Sequence, residues 1–279
     1  KKDAVEGAVV LNPKPGIYTK TPVAVLDYGS LYPSSIISEN ICHTTLITDP
    51  QFLGEQGGKR LNKLGYEYVD IQFDSFDIIG NKKIKRGVKI CRYKQPKKDK
   101  NGNIPIKNRG IIPQILLKVL NARKNTRKKI KYKTVTMSDG SKFEGLYNKD
   151  KQIIILDDNT EHKVPTDSVV DYKDTYNVFQ KAVWDGLQLA YKVTANSIYG
   201  QLGASTSPIY WPELASSTTA VGRNLLNLAG NFAIDNYKDK WFGDIYIKDT
   251  VLVYGDTDSV FVKYNMEDRD GNPVYNRKA

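Results

Sequence analysis

The stretch that most restricts what this chain can become is VLVYGDTDSVFV at 251–262. Val251 and Val253 alternate with Leu252 and Tyr254, and Val260 and Val262 alternate with Phe261 and Lys263, the period-2 pattern of two short strands. Gly255-Asp256-Thr257-Asp258 is too short a connection for anything but an antiparallel return. Gly255 is expected to supply the backbone freedom of the turn, and Asp256 and Asp258 carry two carboxylates to its tip. Carboxylates so confined repel each other unless a cation or hydrogen-bond donors offset them. A solvated acidic turn and a metal-holding turn both satisfy this pattern, and the rest of the chain has to choose between them.

With 279 residues the chain is long enough for one large core or two modest ones. Its first residue is Lys1 and its methionines are Met137 and Met266, so it reads as an internal segment of a longer protein. No run approaches the roughly 18 apolar residues of a membrane helix, and no charged-then-apolar leader opens the chain, so no membrane association is expected. Cys42 and Cys91 lack the spacing of a disulfide framework or a zinc site and read as reduced thiols of a soluble intracellular protein. The net charge of +11 is unevenly spread: 81–133 holds 20 Lys or Arg against the single acid Asp99, so the remainder is net acidic. A basic block beside an acidic body suits phosphate-backbone contact at the block and metal or catalytic carboxylates elsewhere, although a solvated lysine face has the same composition.

Along the chain, 8–11 and 22–26 read as strands separated by a Pro- and Gly-rich turn. The second, Val23-Ala24-Val25-Leu26, is uniformly apolar and is expected to be buried on both faces. It runs into Asp27, then a turn at Gly29-Ser30, then a helix opened by Pro33 and Ser34. Irregular structure with short strands is expected over 49–108. From Ile111 the period is helical: Ile112, Ile115, Leu116, Val119 and Leu120 form an apolar stripe, and Arg123/Arg127 and Lys124/Lys128 form two cationic rows four residues apart. Turn signals at 138–140, 148–150 and 157–160 mark a small β-rich insertion over about 134–175. Helical spacing resumes at Tyr176 and sets Lys192, Asn196 and Tyr199 on one face.

Three motifs carry a resemblance to a known family. Asp27-Tyr28-Gly29-Ser30-Leu31-Tyr32-Pro33-Ser34 resembles the DxxSLYPS motif of family B DNA polymerases, Lys192-Val193-Thr194-Ala195-Asn196-Ser197-Ile198-Tyr199-Gly200 their KxxxNSxYG motif, and Tyr254-Gly255-Asp256-Thr257-Asp258-Ser259 their YGDTDS motif, in family order. Asn40 through Leu46, the helix around Arg123 and Arg127, and Ser217 through Arg223 are similar to flanking family segments, the last to the helix that buttresses the catalytic sheet. Glu6-Gly7-Ala8 with Pro13 and Gly16 resembles the segment before the first motif, but Val5 stands where the family has a tyrosine; Arg127 stands where a lysine is common. The insertion at 134–175 departs from compact members and is similar to what large DNA viruses carry there.

The resemblance implies an α+β fold: a right-hand polymerase palm, an antiparallel sheet with packed helices, plus helical-hairpin fingers carrying the β-rich insertion. The domains would be 1–108, the first palm part; 109–204, the fingers; and 205–279, the second palm part. It implies template-directed DNA synthesis with two Mg²⁺ ions, or Mn²⁺ in their place, held by Asp27 and Asp258, with Asp256 in a lesser catalytic role. Lys192 would protonate the pyrophosphate leaving group. Arg123, Arg127 and Asn196 would face the incoming triphosphate, the backbone of Ser30, Leu31 and Tyr32 would complete the phosphate cradle, and the Tyr32 ring would exclude a 2′-hydroxyl. Tyr199 and Gly200 would pack against the nascent base pair. The implied partners are primer–template DNA, deoxynucleoside triphosphates and a processivity factor bound through regions outside the chain; the implied location is the nucleus or a viral replication site. Two other classes stay open: a catalytically silent relative serving as a DNA-binding scaffold, which would normally have lost Asp27, Lys192 or Asp258, and an unrelated DxD transferase, which would have no reason to carry the first two motifs.

Overall fold

The computed structural model describes residues 3–4, 7, 10–79 and 82–275. In order these form β1 (Asp3–Ala4), β2 (Val10–Leu11), β3 (Val23–Asp27), α1 (Leu31–Ser38), β4 (Leu46–Ile47), α2 (Gly54–Lys63), β5 (Tyr68–Ile79), β6 (Lys82–Lys94) and α3 (Ile111–Ile130). There follow β7 (Lys133–Met137), β8 (Lys142–Asn148), β9 (Ile153–Ile155), β10 (Glu161–Lys163), β11 (Val169–Asp174), α4 (Val178–Gly203), α5 (Pro212–Tyr237), β12 (Lys240–Phe242), β13 (Ile245–Asp256) and β14 (Ser259–Glu267). The result is α+β, with antiparallel pairing in every sheet. The chain divides into two compact units, Lys1–Gln114 with Ile198–Ala279, and Ile115–Ser197, the boundaries falling within α3 and α4. Of the strand expected at 8–11 only Val10–Leu11 is described, and of Glu6-Gly7-Ala8 only Gly7; Val5 also lies outside the described residues.

In the first unit one sheet runs β1-β5-β6-β4 and another β12-β13-β14-β3, with β2 added to β13. α5 packs against β5, β13, β14 and α1, and so links both sheets. Its C-terminal half places Leu226 and Ala233 on Val260 and Val262, with Leu252 and Tyr264 closing the cluster. Its N-terminal half is buried although polar: Ser216, Ser217, Thr218 and Thr219 are all within 4% of full burial. Thr218 and Thr219 donate to the carbonyls of Leu214 and Ala215 one turn back, at 2.8 and 3.0 Å, and Ser217 accepts from the hydroxyl of fully buried Tyr93 at 2.9 Å. The hydroxyls of Ser217, Thr218 and Thr219 are thereby satisfied, the condition for burying them.

The irregular structure expected over 49–108 is instead dominated by the β5–β6 hairpin, paired from Tyr68↔Lys94 to Ile79↔Lys82. Much of the basic run lies along β6 and is met by acids: Lys85 by Asp74 at 2.6 Å, Arg86 by Asp77 at 3.2 Å, Lys89 by Glu213 at 3.6 Å and Arg92 by Asp70 at 2.6 Å. These neighbours, cross-strand for Asp70, Asp74 and Asp77 and on α5 for Glu213, offset charge that the linear sequence displays as an open cationic surface. α2 is likewise a helix within the stretch expected to be irregular. A Cβ on Gly57 would stand 2.2 Å from the Phe52 carbonyl carbon, and one on Gly58 2.0 Å from the Tyr68 hydroxyl, so the glycines admit close packing.

The burial expected of Val23-Ala24-Val25-Leu26 is not observed. β3 is the edge strand beside β14, with Val25 54% and Leu26 43% exposed. An apolar run reports a tendency to be covered, and here it is met only in part, Val23 and Ala24 being half-buried and Val25 and Leu26 exposed.

The second unit carries a five-stranded sheet in the order β10-β9-β8-β7-β11 with its own core of Val135, Ile154 and Val164. Within this unit Arg123 of α3 donates to Gln188 of α4 at 3.3 Å, and Lys129 lies 5.9 Å from the ring centre of Trp184. Partners that descend in number on α4 as they ascend on α3 make the two helical segments antiparallel.

Arg92 is heavily engaged within the first unit. Only 4% exposed, it donates twice to Asp70, at 2.7 and 2.6 Å, and to the carbonyls of Phe52 and Gly54, at 2.8 and 2.9 Å, while stacking 3.9 Å from the Tyr68 ring centre. Arg92→Leu leaves a carboxylate and two carbonyls uncompensated. Urea unfolding is expected to show a loss of about 3 kcal/mol, against well under 1 kcal/mol for breaking the exposed Lys59–Glu55 pair.

Candidate active site

The end of the β14–β3 ladder brings the acidic motifs together. Ser259 pairs with Asp27, Asp256 pairs with Ser259, and the Tyr28 amide donates to the Asp258 carbonyl at 2.8 Å. Asp27, Asp256 and Asp258 therefore share one end of one sheet. Gly255 does not make the turn. It lies inside β13 opposite Val260 and Leu11, where a Cβ would come within 2.8 Å of Leu11. The left-handed residue is Thr257 (φ 49°), whose turn is closed by a bond from the Asp258 amide to the Asp256 carbonyl. The Thr257 hydroxyl donates to the Asp256 carboxylate at 3.0 Å, which ties that side chain to the turn. A β-branched residue with positive φ is a local strain.

Ser30 (φ 55°, ψ 56°) swings the chain from β3 into α1, which starts at Leu31, two residues before Pro33. The first-turn amides of Leu31 and Tyr32 have no intrahelical acceptors, and Pro33 contributes no amide of its own. The Leu31 side chain is buried. The Tyr32 ring lies 4.2 Å from that of Tyr199, and the Tyr199 hydroxyl is 2.9 Å from Thr219 Oγ1. Burial pushes the Tyr32 hydroxyl up to about 12, helped by the nearby charges of Tyr199, Asp258 and Asp256 and opposed by Arg223. Tyr28 donates to the Leu225 carbonyl at 2.9 Å.

In the first unit the structure thus gathers Asp27, Ser30, Leu31, Tyr32, Tyr199, Asp256 and Asp258, whereas Gly200 is exposed with nothing within 4 Å of where a Cβ would stand. In the second unit Lys192, Asn196 and Arg127 are exposed and Arg123 is half-buried. Because Arg123 meets Gln188, Arg127 lies about 6 Å along the helix pair in one direction, and Lys192 and Asn196 about 6 and 12 Å in the other, at 1.5 Å per residue. Arg123, Lys124, Arg127, Lys128 and Lys131 line one open groove of this unit. Sequence reasoning did not single out Tyr28, Thr219 and Gly222 as site residues; the resemblance of Ser217 through Arg223 to a buttressing helix was the signal that pointed toward two of them.

Among the described residues no three His, Cys, Asp or Glu side chains come together as a metal-binding group. Asp27 and Asp258 offer carboxylate oxygens at the same end of the sheet, a donor type suited to magnesium. Magnesium prefers oxygen donors, keeps several waters, and is commonly held by one or two carboxylates with substrate phosphates.

Residues 1–154 and 170–273 match the model of DNA polymerase family B. The chain belongs to this family. It is 46% identical over 271 residues to a DNA polymerase of Pyramimonas orientalis virus, covering 96% of this chain and 20% of that protein. It is 33% identical over 300 residues to a DNA polymerase of Phaeocystis pouchetii virus, covering 98% of this chain and 24% of that one. With the DNA polymerase delta catalytic subunit of Dictyostelium discoideum it shares 29% over 268 residues, 96% of this chain and 17% of the relative. The chain thus spans about a fifth of the length of these relatives. The part of the family B match that is missing, 155–169, contains β10. No helix among the described residues is long and apolar enough to cross a membrane.

The strain at Thr257 is measurable in this family B hairpin. Thr257→Asn, a residue that tolerates positive φ, is expected to stabilise the chain by about 1 kcal/mol in thermal unfolding, while Thr257→Val destabilises it.

Proposed function

We propose that this chain is the palm and fingers segment of a template-directed DNA polymerase. It would add deoxynucleoside triphosphates to a primer 3′ end during DNA replication and release pyrophosphate. The observation that carries this reading is the pairing of Ser259 with Asp27, together with the Tyr28–Asp258 backbone bond, which sets the carboxylate-bearing ends of the first and third motifs side by side in a family B chain. In this reading the first unit is the palm, the second the fingers, and β7 to β11 the insertion. The viral relatives support a viral origin.

The primer 3′-oxygen attacks the α-phosphorus, the bond to the pyrophosphate oxygen breaks, and a proton leaves the hydroxyl while another reaches the leaving group. Asp27 and Asp258 would hold two magnesium ions, with manganese as a substitute. Bound there, the metal supplies charge neutralisation for the phosphates and a lower pKa for the 3′-hydroxyl. Asp256, hydrogen-bonded to Thr257, tunes the acidic end without serving as a shared ligand. Arg123, Arg127 and Asn196 bind the triphosphate, and Lys192 gives its proton to pyrophosphate. The amides following Ser30 donate to phosphate oxygens at the start of α1. Tyr32 lies under the sugar, where its ring leaves no room for a 2′-hydroxyl, and Tyr199 with Gly200 packs on the new base pair.

Two substitutions in the intact polymerase test this reading. Asp258→Ala is expected to reduce primer extension by at least about 10³-fold with primer–template affinity retained in a gel-shift titration; normal extension by this variant refutes the metal-ligand role. Tyr32→Ala is expected to admit ribonucleotides, raising their kcat/KM relative to deoxynucleotides by about 10²-fold or more. Unchanged sugar discrimination removes the steric role of Tyr32.

A further inference from the structure

Three tyrosines of the first unit touch α5 at residues three apart. Tyr199 meets the Thr219 hydroxyl at 2.9 Å, Tyr32 lies where a Cβ on Gly222 would come within 3.1 Å of its Cε1, and Tyr28 donates to the Leu225 carbonyl at 2.9 Å. The direction of the first contact follows from proton counting. Thr219 has one hydroxyl proton, and at 3.0 Å from the Ala215 carbonyl, which can only accept, that proton is committed. Tyr199 must therefore donate to Thr219 Oγ1, and this fixes both the phenolic proton and the roll of the ring. The Tyr199 ring in turn covers one side of Tyr32 at 4.2 Å with a 30° tilt. On α5 the side chain nearest to Tyr32 is missing altogether, because position 222 is glycine; a methyl there would also press on Leu31 Cδ2 at 3.3 Å.

We propose that Thr219 and Gly222 are positioning residues for sugar selection: Thr219 fixes the Tyr32 ring through Tyr199, and Gly222 leaves the space on α5 in which that ring rests. Both act through the Tyr32 ring. The inference rests on the reading of Tyr32 as the group that excludes the 2′-hydroxyl. Thr219→Val keeps the shape of the side chain but removes the acceptor for Tyr199 and the bond to Ala215, freeing the Tyr199 ring to roll and Tyr32 to follow. Gly222→Ala acts from the other side, pushing Tyr32 off α5 by a few tenths of an ångström, since the contact is tighter than a methyl and an aromatic carbon ordinarily allow.

The experiment is steady-state incorporation of deoxy- and ribonucleotides by the intact polymerase, with kcat and KM determined separately. Thr219→Val is expected to lower discrimination against ribonucleotides about tenfold, the effect of one hydrogen bond, through a lower KM for the ribonucleotide. Thr219→Ser, which keeps the acceptor, should retain wild-type discrimination, and Tyr199→Phe should reproduce the Val variant. Gly222→Ala should change discrimination while leaving the Tyr199–Thr219 pair intact. If Thr219→Val and Tyr199→Phe both discriminate within twofold of wild type while Tyr32→Ala has lost discrimination, the positioning role is overturned and the role of Tyr32 stands. If Tyr32→Ala itself discriminates like wild type, the underlying reading fails, and this inference fails with it. Should Thr219→Val not fold, the comparison of Tyr199→Phe and Gly222→Ala with wild type decides the same question.

Discussion

The first unit depends on a helix that is buried where its sequence is most polar. Ser216 to Thr219 lie at the meeting point of α5 with the β5–β6 sheet and α1, and small side chains are what allow those elements to come so near the helix axis. A larger apolar residue would satisfy the same need for burial but would force the neighbours apart. The hydroxyls are the solution that is both small and adhesive: those of Ser217, Thr218 and Thr219 take up their hydrogen-bonding capacity on the helix backbone or on a tyrosine. Tyr93, fully buried against Ser217, has its hydroxyl held protonated chiefly by that burial, so the contact behaves as a neutral bond over the whole physiological range.

What the sequence disclosed and what it hid divide along physical lines. The hairpin at 251–262 was legible because strand period and connection length are local properties, and the family motifs located Asp27, Asp258 and Lys192 without any geometry. Contacts made across sequence were not legible. Lys85 and Asp74 are neighbours only once β5 and β6 are paired, so a neutralised hairpin looked like an open basic surface. Glycine was ambiguous in the same way. At 57 and 58 it admits close packing inside a helix, and at 255 close packing inside a strand, while the backbone freedom assigned to Gly255 resides at Thr257, a residue that statistics disfavour there. Within the segment resembling a buttressing helix nothing set Thr219 apart, because its partner Tyr199 lies on a different helix.

The sheet between α3 and α4 has a different logic. Val135, Ile154 and Val164 are completely buried in a core formed by the segment itself, with Phe143, Tyr147 and Val169 around it. A segment that supplies its own core asks little of the elements it interrupts. This agrees with the position of the unmatched residues 155–169 inside it. Helical partners such as Arg123–Gln188 keep α3 and α4 in register independently of what connects them.

The exposed edge of β3 has a colloidal consequence. Its backbone faces outward on one side with no partner strand among the described residues, and Val25 and Leu26 flank it with apolar surface; the strand has no charged side chain before Asp27. Charge, proline and bulges are the usual means of blunting such an edge, and between Val23 and Leu26 the sequence has none of them. At high concentration such an edge is where a second copy of this polypeptide would add its own strand, and a strand added there would mask the Asp27 carboxylate before it disturbed the fold.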